Sequence, residues 1–381
     1  MKKTLLLMAA VAAMACSCDK DGDCIPCQKE EGQEQTATLQ VSLDLEGEPQ
    51  TRVTNYVTAQ PYETAVNDVQ IFVFDSKGAL ATYLDADTKT SGISINTIYG
   101  QKSVYAVVNG PDLSAITTQE ELERTTIDLG ANSTTSSKGF VMVGSSTCNV
   151  SGSTATVSIA VKRLVARVAL QKITNSLPAS YGSLTVNNVM LINVAGNQNL
   201  ECTAAISTWY NKMGRKDGAT SSSQIIDGTT NLASHPTLTF KKVDASVSNG
   251  AEHKPATPYL FYTYQNNCTA EGSGWATTFS ARKTRLVVTA TIGSTKYYYP
   301  ISIDSPSRNT AYTVELTITG LGSSDPDILV EKGAITATVT VDPWQSGAVP
   351  FRSIGQYAAP HRPVHGRRGI PLRSPTCDRR R

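Results

Sequence analysis

The sequence predicts an all-β protein built as two β-sandwich domains with few short helices. Three observations carry this. Thr, Ser, Val, Ile and Tyr fill the middle of the chain in short alternating runs, the pattern of half-buried strands. The runs are separated by turn residues at intervals too short for βαβ crossovers, which favours a sandwich or barrel over an α/β class. The 381 residues are enough for two hydrophobic cores of ordinary size.

The elements follow in chain order. Lys2 and Lys3 precede an apolar run from Leu5 to Ala15, too short to span a bilayer and read instead as a secretion signal covering 1–17. Small residues stand directly before Cys18 and before Cys16, so the signal has the lipoprotein form, with Cys18 the acylated residue and Cys16 the alternative. A polar, aperiodic tether runs from Asp19 to Thr36. Thr38 to Leu45 then alternates strictly, with Leu39, Val41, Leu43 and Leu45 on one face and polar residues on the other. Gly47, Pro49 and Pro61 break the pattern and put Arg52 in a loop.

Val69 to Phe74 and Lys102 to Asn109 read as buried strands. Thr117 to Arg124 reads as a helix started by a capping box, Thr117 with Glu120 or Thr118 with Glu121. The alternation of Val157 to Ile173 is interrupted at Lys162-Arg163, which puts a domain boundary near Ala160 to Arg163 and divides the chain into 53–160 and 161–344. Strands are expected over Leu184 to Val194, Thr237 to Lys241, Tyr259 to Tyr264, Arg285 to Ile292, Lys296 to Ile303, Ala311 to Thr319 and Ala334 to Val341. After Trp344 the chain turns into an Arg-, Pro- and Gly-rich tail, 345–381, whose composition predicts disorder.

Most chemistry is argued against by the same residues. Net charge is +2, yet the stretch from Arg352 to Arg381 holds eight arginines against the single acid Asp378. That tail contributes +7 and leaves −5 on the rest, so a nucleic-acid partner has no support. His235 and His253, the two histidines before the tail, show no neighbouring acid and nucleophile. The Gly272 to Gly274 and Gly320 to Gly322 pairs do not open helices as a phosphate cradle requires. Ser323 to Asp327 lacks the spaced oxygen ligands of a calcium loop and reads as a turn. Cys148, Cys202 and Cys268 are an odd, widely spaced trio, neither a disulfide framework nor a metal site. Cys24 and Cys27 have CxxC spacing in a polar leader without a βαβ context. Neither an enzyme nor a cofactor is expected. Of Tyr297, Tyr298 and Tyr299, the first and last share a strand face, and packing is the commoner reason for such a run. A surface platform of these tyrosines with Trp275 would instead make a cell-surface glycan-binding lipoprotein.

Arg52 follows the alternating strand, and cutting the chain there would leave that strand held only by non-covalent contacts. Its departure would expose an apolar groove and two rows of unpaired backbone groups, which another chain's strand could fill. Such a head-to-tail contact propagates into a filament. Ile335, Ala337, Val339 and Val341 repeat the period of the Leu39 to Leu45 row and are the expected donor strand.

Six pieces, in order, carry a resemblance: the lipoprotein leader, Gly100 to Asn109 (GQKSVYAVVN), Lys138 to Ser145 (KGFVMVGS), Val161 to Leu170 (VKRLVARVAL), Arg308 to Gly322 (RNTAYTVELTITGLG) and Val339 to Trp344 (VTVDPW). In these the chain resembles the fimbrillins, the type V pilins of anaerobic Gram-negative bacteria, from about Thr36 to Trp344. The resemblance implies two β-sandwiches of transthyretin-like topology and export as an outer-membrane lipoprotein. It also implies removal of a propeptide, 18–52, by an Arg-specific protease cutting between Arg52 and Val53. Donor-strand exchange with further copies or other fimbrial subunits would then build a surface fimbria that adheres to host or bacterial ligands. One departure is plain: the family ends in another alternating strand after the Pro-Trp pair, where this chain has its Arg-rich tail.

Overall fold

The computed structural model describes residues 35–45, 57–213, 235–271, 279–331 and 333–344. The protein is mostly β, arranged in several sheets, with few short helices. In the first half lie β1 (Thr36–Asp44), β2 (Val69–Phe74), β3 (Leu80–Asp85), β4 (Ile93–Ile98), β5 (Gly100–Val108), β6 (Thr126–Asp128), β7 (Met142–Val150), β8 (Thr154–Ala160) and β9 (Lys162–Arg163). They form a three-stranded sheet in the order β4-β1-β8 and a five-stranded sheet in the order β3-β2-β5-β7-β9.

Between these two sheets sits one apolar cluster. Leu39 and Val41 of β1 meet Ile93 and Ile95 of β4, Val69, Ile71 and Val73 of β2, and Val104, Ala106 and Val108 of β5. The opposite face of the five-stranded sheet is buried too: Phe72, Phe74, Tyr105 and Val107 belong to a larger core that continues into the second half. Double burial explains why all six residues of β2 are inaccessible. On that second face lies α2 (Gln119–Arg124), preceded by α1 (Pro61–Thr64). Thr118 caps α2, its hydroxyl accepting from the Glu121 amide at 3.2 Å. The Glu121 carboxylate in turn accepts from the Thr117 amide, so the expected capping motif forms with the return bond one residue earlier.

The second half holds β10 (Ala166–Asn175), β11 (Leu184–Ile192), β12 (Val194–Ala195), β13 (Asn197–Asn199), β14 (Trp209–Tyr210), β15 (Phe240–Val247), β16 (Glu252–His253), β17 (Tyr259–Thr263), β18 (Arg285–Ile292), β19 (Thr295–Ser302), β20 (Thr310–Ile318) and β21 (Ile335–Pro343). One sheet runs β16-β10-β20-β21, with β17 also on β10, and the other runs β15-β11-β18-β19. A short ribbon joins β6 to β13 across the two halves.

The expected strand over Thr237 to Lys241 begins later. Pro236–Thr239 is a helical turn, and the strand starts at Phe240. Proline at the first helical position has its φ preset and no amide to leave unpaired, which favours the turn over an extended start.

Candidate functional site: a central strand, an edge strand and a buried junction

β1 is the middle strand of its sheet. It pairs antiparallel with β4, Leu39 opposite Ile95 and Val41 opposite Ile93, and parallel with β8, Leu39 opposite Ala155 and Leu43 opposite Ile159. Both backbone edges are therefore engaged. Strict alternation places Ala37, Leu39 and Val41 on the core side, at 5, 0 and 2 % exposure. Leu43 and Leu45 pack at the margin of the same cluster. All four leucines and valines of the expected removable strand thus lie in or against one core. Arg52 and Val53 lie outside the described residues, as do Cys16, Cys18 and the tail.

β21 is placed quite differently. It pairs only with β20, antiparallel, from Ile335 opposite Ile318 to Pro343 opposite Thr310, and it closes one edge of its sheet. Ile335 and Val339 rest half-buried against the core. Ala337 is exposed, and Val341 is 56 % exposed, the most open large apolar residue of the described chain. The expected donor row therefore shares a side of the strand but is only half covered. An edge strand with an open apolar row is a template for association that soluble proteins ordinarily avoid.

β21 ends in Trp344, which is wholly buried. Its indole stacks on Tyr262 at 5.8 Å and meets the edge of Phe140 at 5.9 Å. The guanidiniums of Arg163 and Arg167 lie over the ring, 4.7 and 5.1 Å from its centre, an attractive arrangement for a desolvated cation. The same arginines reach across to the start of the first half. Arg163 Nε donates to the Glu63 carbonyl at 2.7 Å, Arg167 Nη1 pairs with the Glu63 carboxylate at 3.0 Å, and Arg167 Nη2 donates to the Val57 carbonyl at 2.9 Å. Tyr262 completes the set by donating to the other Glu63 oxygen at 2.6 Å. Burial, followed by the nearby Glu63 charge, pushes the Tyr262 phenol well above its ordinary range, so it remains a donor. The first residues after the undescribed 46–56 segment and the residue that ends β21 are thus fastened to one buried junction.

The other candidates are structural. Asp327, at the end of the Ser323 to Asp327 turn, is buried and gives its carboxylate to Arg282 at 2.6 Å and Arg285 at 3.1 Å, with Asn193 donating at 3.2 Å. Its oxygens are therefore committed, and among the described residues no group of three potential metal ligands occurs. Burial pushes this carboxyl upward, and the two guanidiniums pull against that shift. Tyr298 and Tyr299 are buried at 3 and 0 % exposure and Tyr297 packs on the core, so the run packs rather than presenting a platform; Trp275 lies outside the described residues. His253 meets the Tyr259 hydroxyl at 2.8 Å, and His235 lies 3.6 Å from Asp128, neither beside a nucleophile. Cys148, Cys202 and Cys268 are free thiols.

Residues 37–190, which include β1, its two neighbours and the crossing into the second half, match the family model of the major fimbrial subunit protein (FimA). That stretch is similar to the fimbrial subunit family. It is a family of structural subunits and not of enzymes. The fold is shared with solved structures that cover nearly their whole length. A protein of Bacteroides eggerthii assigned to cell adhesion has a TM-score of 0.59 at 19 % identity, covering 82 % of this chain and 98 % of that one. A Parabacteroides distasonis protein assigned the same role has a TM-score of 0.56 at 15 % identity, with 81 % and 96 % covered. A fimbrilin of Porphyromonas gingivalis has a TM-score of 0.52 at 13 % identity, with 82 % and 99 % covered. No curated protein sequence matches the chain. The fimbrillin resemblance carried by the sequence motifs and the mostly β fold therefore agree with these comparisons.

Proposed function

We propose that this chain is a structural subunit of a cell-surface fimbria that supports adhesion, exported as a lipoprotein acylated at Cys18, cut between Arg52 and Val53, and polymerised by strand exchange between copies. The observation that carries the polymerisation step is the seat of β1. A strand paired on both edges and buried on one face, and joined to the strands that follow it through the segment that holds Arg52, is an element whose loss would open a strand-shaped site. Several aliphatic side chains re-buried by an incoming strand would each contribute about 1.5–3 kcal/mol, besides the restored backbone bonds. β21, at a sheet edge with its apolar row half uncovered, has the chemistry to fill that site.

Edman sequencing of protein sheared from the cell surface tests the reading, with Val53 the expected first residue. Arg52→Ala should leave an uncut monomeric precursor still bearing its lipid; normal filaments from this variant would remove the cleavage step. Cys18→Ala should abolish labelling by a fatty-acid analogue, and persistent labelling would move the acyl group to Cys16.

A further inference from the structure

A polar cleft of about 610 Å³ opens on the outer side of the sheet that holds β10 and β20, between residues 57–60 and the loop Lys254 to Pro258. Its floor is a β-bulge. Leu170 lies opposite Val314 of β20 and Lys172 opposite Glu315, so Gln171 is an extra residue with no counterpart on β20. Leu170 and Ile173 are both buried in the core, and the bulge sets Gln171 and Lys172 together off it, where strict alternation would turn one of them inward. On the other flank Leu170 pairs with Tyr259 and Ile173 with His253, so the loop between those two residues arches over the bulge. The base of the arch is closed by His253 Nε2 and the Tyr259 hydroxyl at 2.8 Å, with the two rings stacked. Pro255 and Pro258 fix their own φ and restrict Lys254 and Thr257 before them. The facing wall is also fixed, because Arg167 donates to the Val57 carbonyl and the Gln60 amide donates to the Glu63 carboxylate at 2.8 Å.

We infer that this cleft is a ligand site and that it takes a neutral oligosaccharide. The inference names the ligand class of the adhesion proposed above and rests on that reading for its role in the cell. The volume is that of a small-molecule site, and walls held rigid before binding lower the cost of binding. The side chains of Thr58, Gln171, Lys254 and Thr257 line the cleft and make no hydrogen bond or ion pair among the described residues. Amide and hydroxyl groups both donate and accept, as sugar hydroxyls do, while Pro255, Ala256 and Pro258 offer an apolar strip to the C–H face of a ring. The other classes fit worse. An apolar ligand would leave the amide and the hydroxyls unpaired. An anion would gain Lys254 but meet Glu315, the lining residue of opposite charge, which Lys172 holds in place at 3.0 Å. A peptide binding as an added strand would find β10 open over Gln171 and Lys172 alone, since its neighbours on either side are paired.

The test applies the purified full chain to a printed array of mannose, galactose and N-acetylglucosamine oligomers, beside sialylated and sulfated counterparts. The parent is expected to bind a neutral series. Gln171→Met combined with Thr58→Val keeps the shape of the lining and removes its polar atoms, and should weaken binding by about tenfold or more at an unchanged melting temperature. Footprinting of the parent chain supplies a measurement that needs no substitution. Bound oligosaccharide should slow acetylation of Lys254 and leave that of Lys242, whose side chain is 77 % exposed, as it was. Undiminished binding by the folded double variant, or an unprotected Lys254, overturns the site. Binding confined to the sialylated or sulfated oligomers overturns the ligand class, and no binding at all overturns the inference. The array requires neither cleavage nor filaments. A chain that forms filaments but binds no sugar therefore loses this site alone, and a chain that binds sugar but forms no filaments keeps the site while the fimbrial reading fails.

Discussion

At the scale of single residues the decisive group is Glu63, a fully buried carboxylate whose two oxygens are taken by Arg167 and Tyr262. Glu63→Ala would leave the Arg167 guanidinium without its counter-charge in a site from which water is excluded. Breaking a buried pair in this way costs roughly 3–5 kcal/mol. The measurement is a urea titration at neutral pH, and Glu63→Gln should lose distinctly less because one acceptor oxygen remains. Equal losses from both variants would mean that the site is governed by shape and not by charge. Nothing near Pro61 and Tyr62 in the sequence marks Glu63, since its partners lie about a hundred and two hundred residues away. A partial signal does exist in VKRLVARVAL. Two arginines four residues apart within an apolar alternating run share a strand face, and charges on a buried face need partners. The sequence could reveal that Arg163 and Arg167 are paired, but not with what.

Among the elements, β1 is legible in both its strand and its buried face, and β21 is legible as a strand but not in how little of its row is covered. Strict alternation along Thr38 to Leu45 determines which face of β1 is buried, because a two-residue period admits a single solution. Its place in the middle of a sheet is set by β4 and β8, and β4 is not among the strands expected from the sequence: ISINTI sets a short buried row of Ile93, Ile95 and Thr97 against serine and asparagine between glycine-containing turns. β21 alternates as cleanly as β1, yet its row is only half covered, since an edge strand has a neighbour on one side only. This difference separates Val339 from Val341. Val339 packs on the core of its own subunit, so a charge there would disturb the monomer as well as the joint. Val341 is 56 % exposed. Val341→Asp should therefore keep the circular dichroism spectrum and melting temperature of the monomer while abolishing filament formation after cleavage, because the charge would enter the vacated β1 site unpaired. Deleting 351–381 should leave assembly intact if β21 donates. Filaments from Val341→Asp, together with their loss on deleting the tail, would move the donor beyond Trp344.

For the molecule as a whole, Trp344 ties the two ends of the described fold together. It is held by Phe140 of the first half and by Arg163, Arg167 and Tyr262 at the crossing and in the second half, and the same arginines hold Val57 and Glu63. The core around it is continuous from Phe72 through to Leu316, so the two halves should unfold together. β21 could not leave its edge without drawing Trp344 from this site and uncovering two guanidiniums, a contact that opposes release. Trp344→Ala should cost about 3–5 kcal/mol, as loss of a large buried aromatic does. Two readouts distinguish a junction from ordinary packing. If Trp344 couples the halves, thermal unfolding followed by calorimetry should broaden or split in the variant where the parent shows one transition. If it also restrains β21, amide exchange across Ile335–Pro343 should accelerate well beyond that of β11 and β18, and cleaved variant should assemble faster than cleaved parent. A uniform rise in exchange throughout the fold, with assembly unchanged, would reduce Trp344 to a core residue like any other.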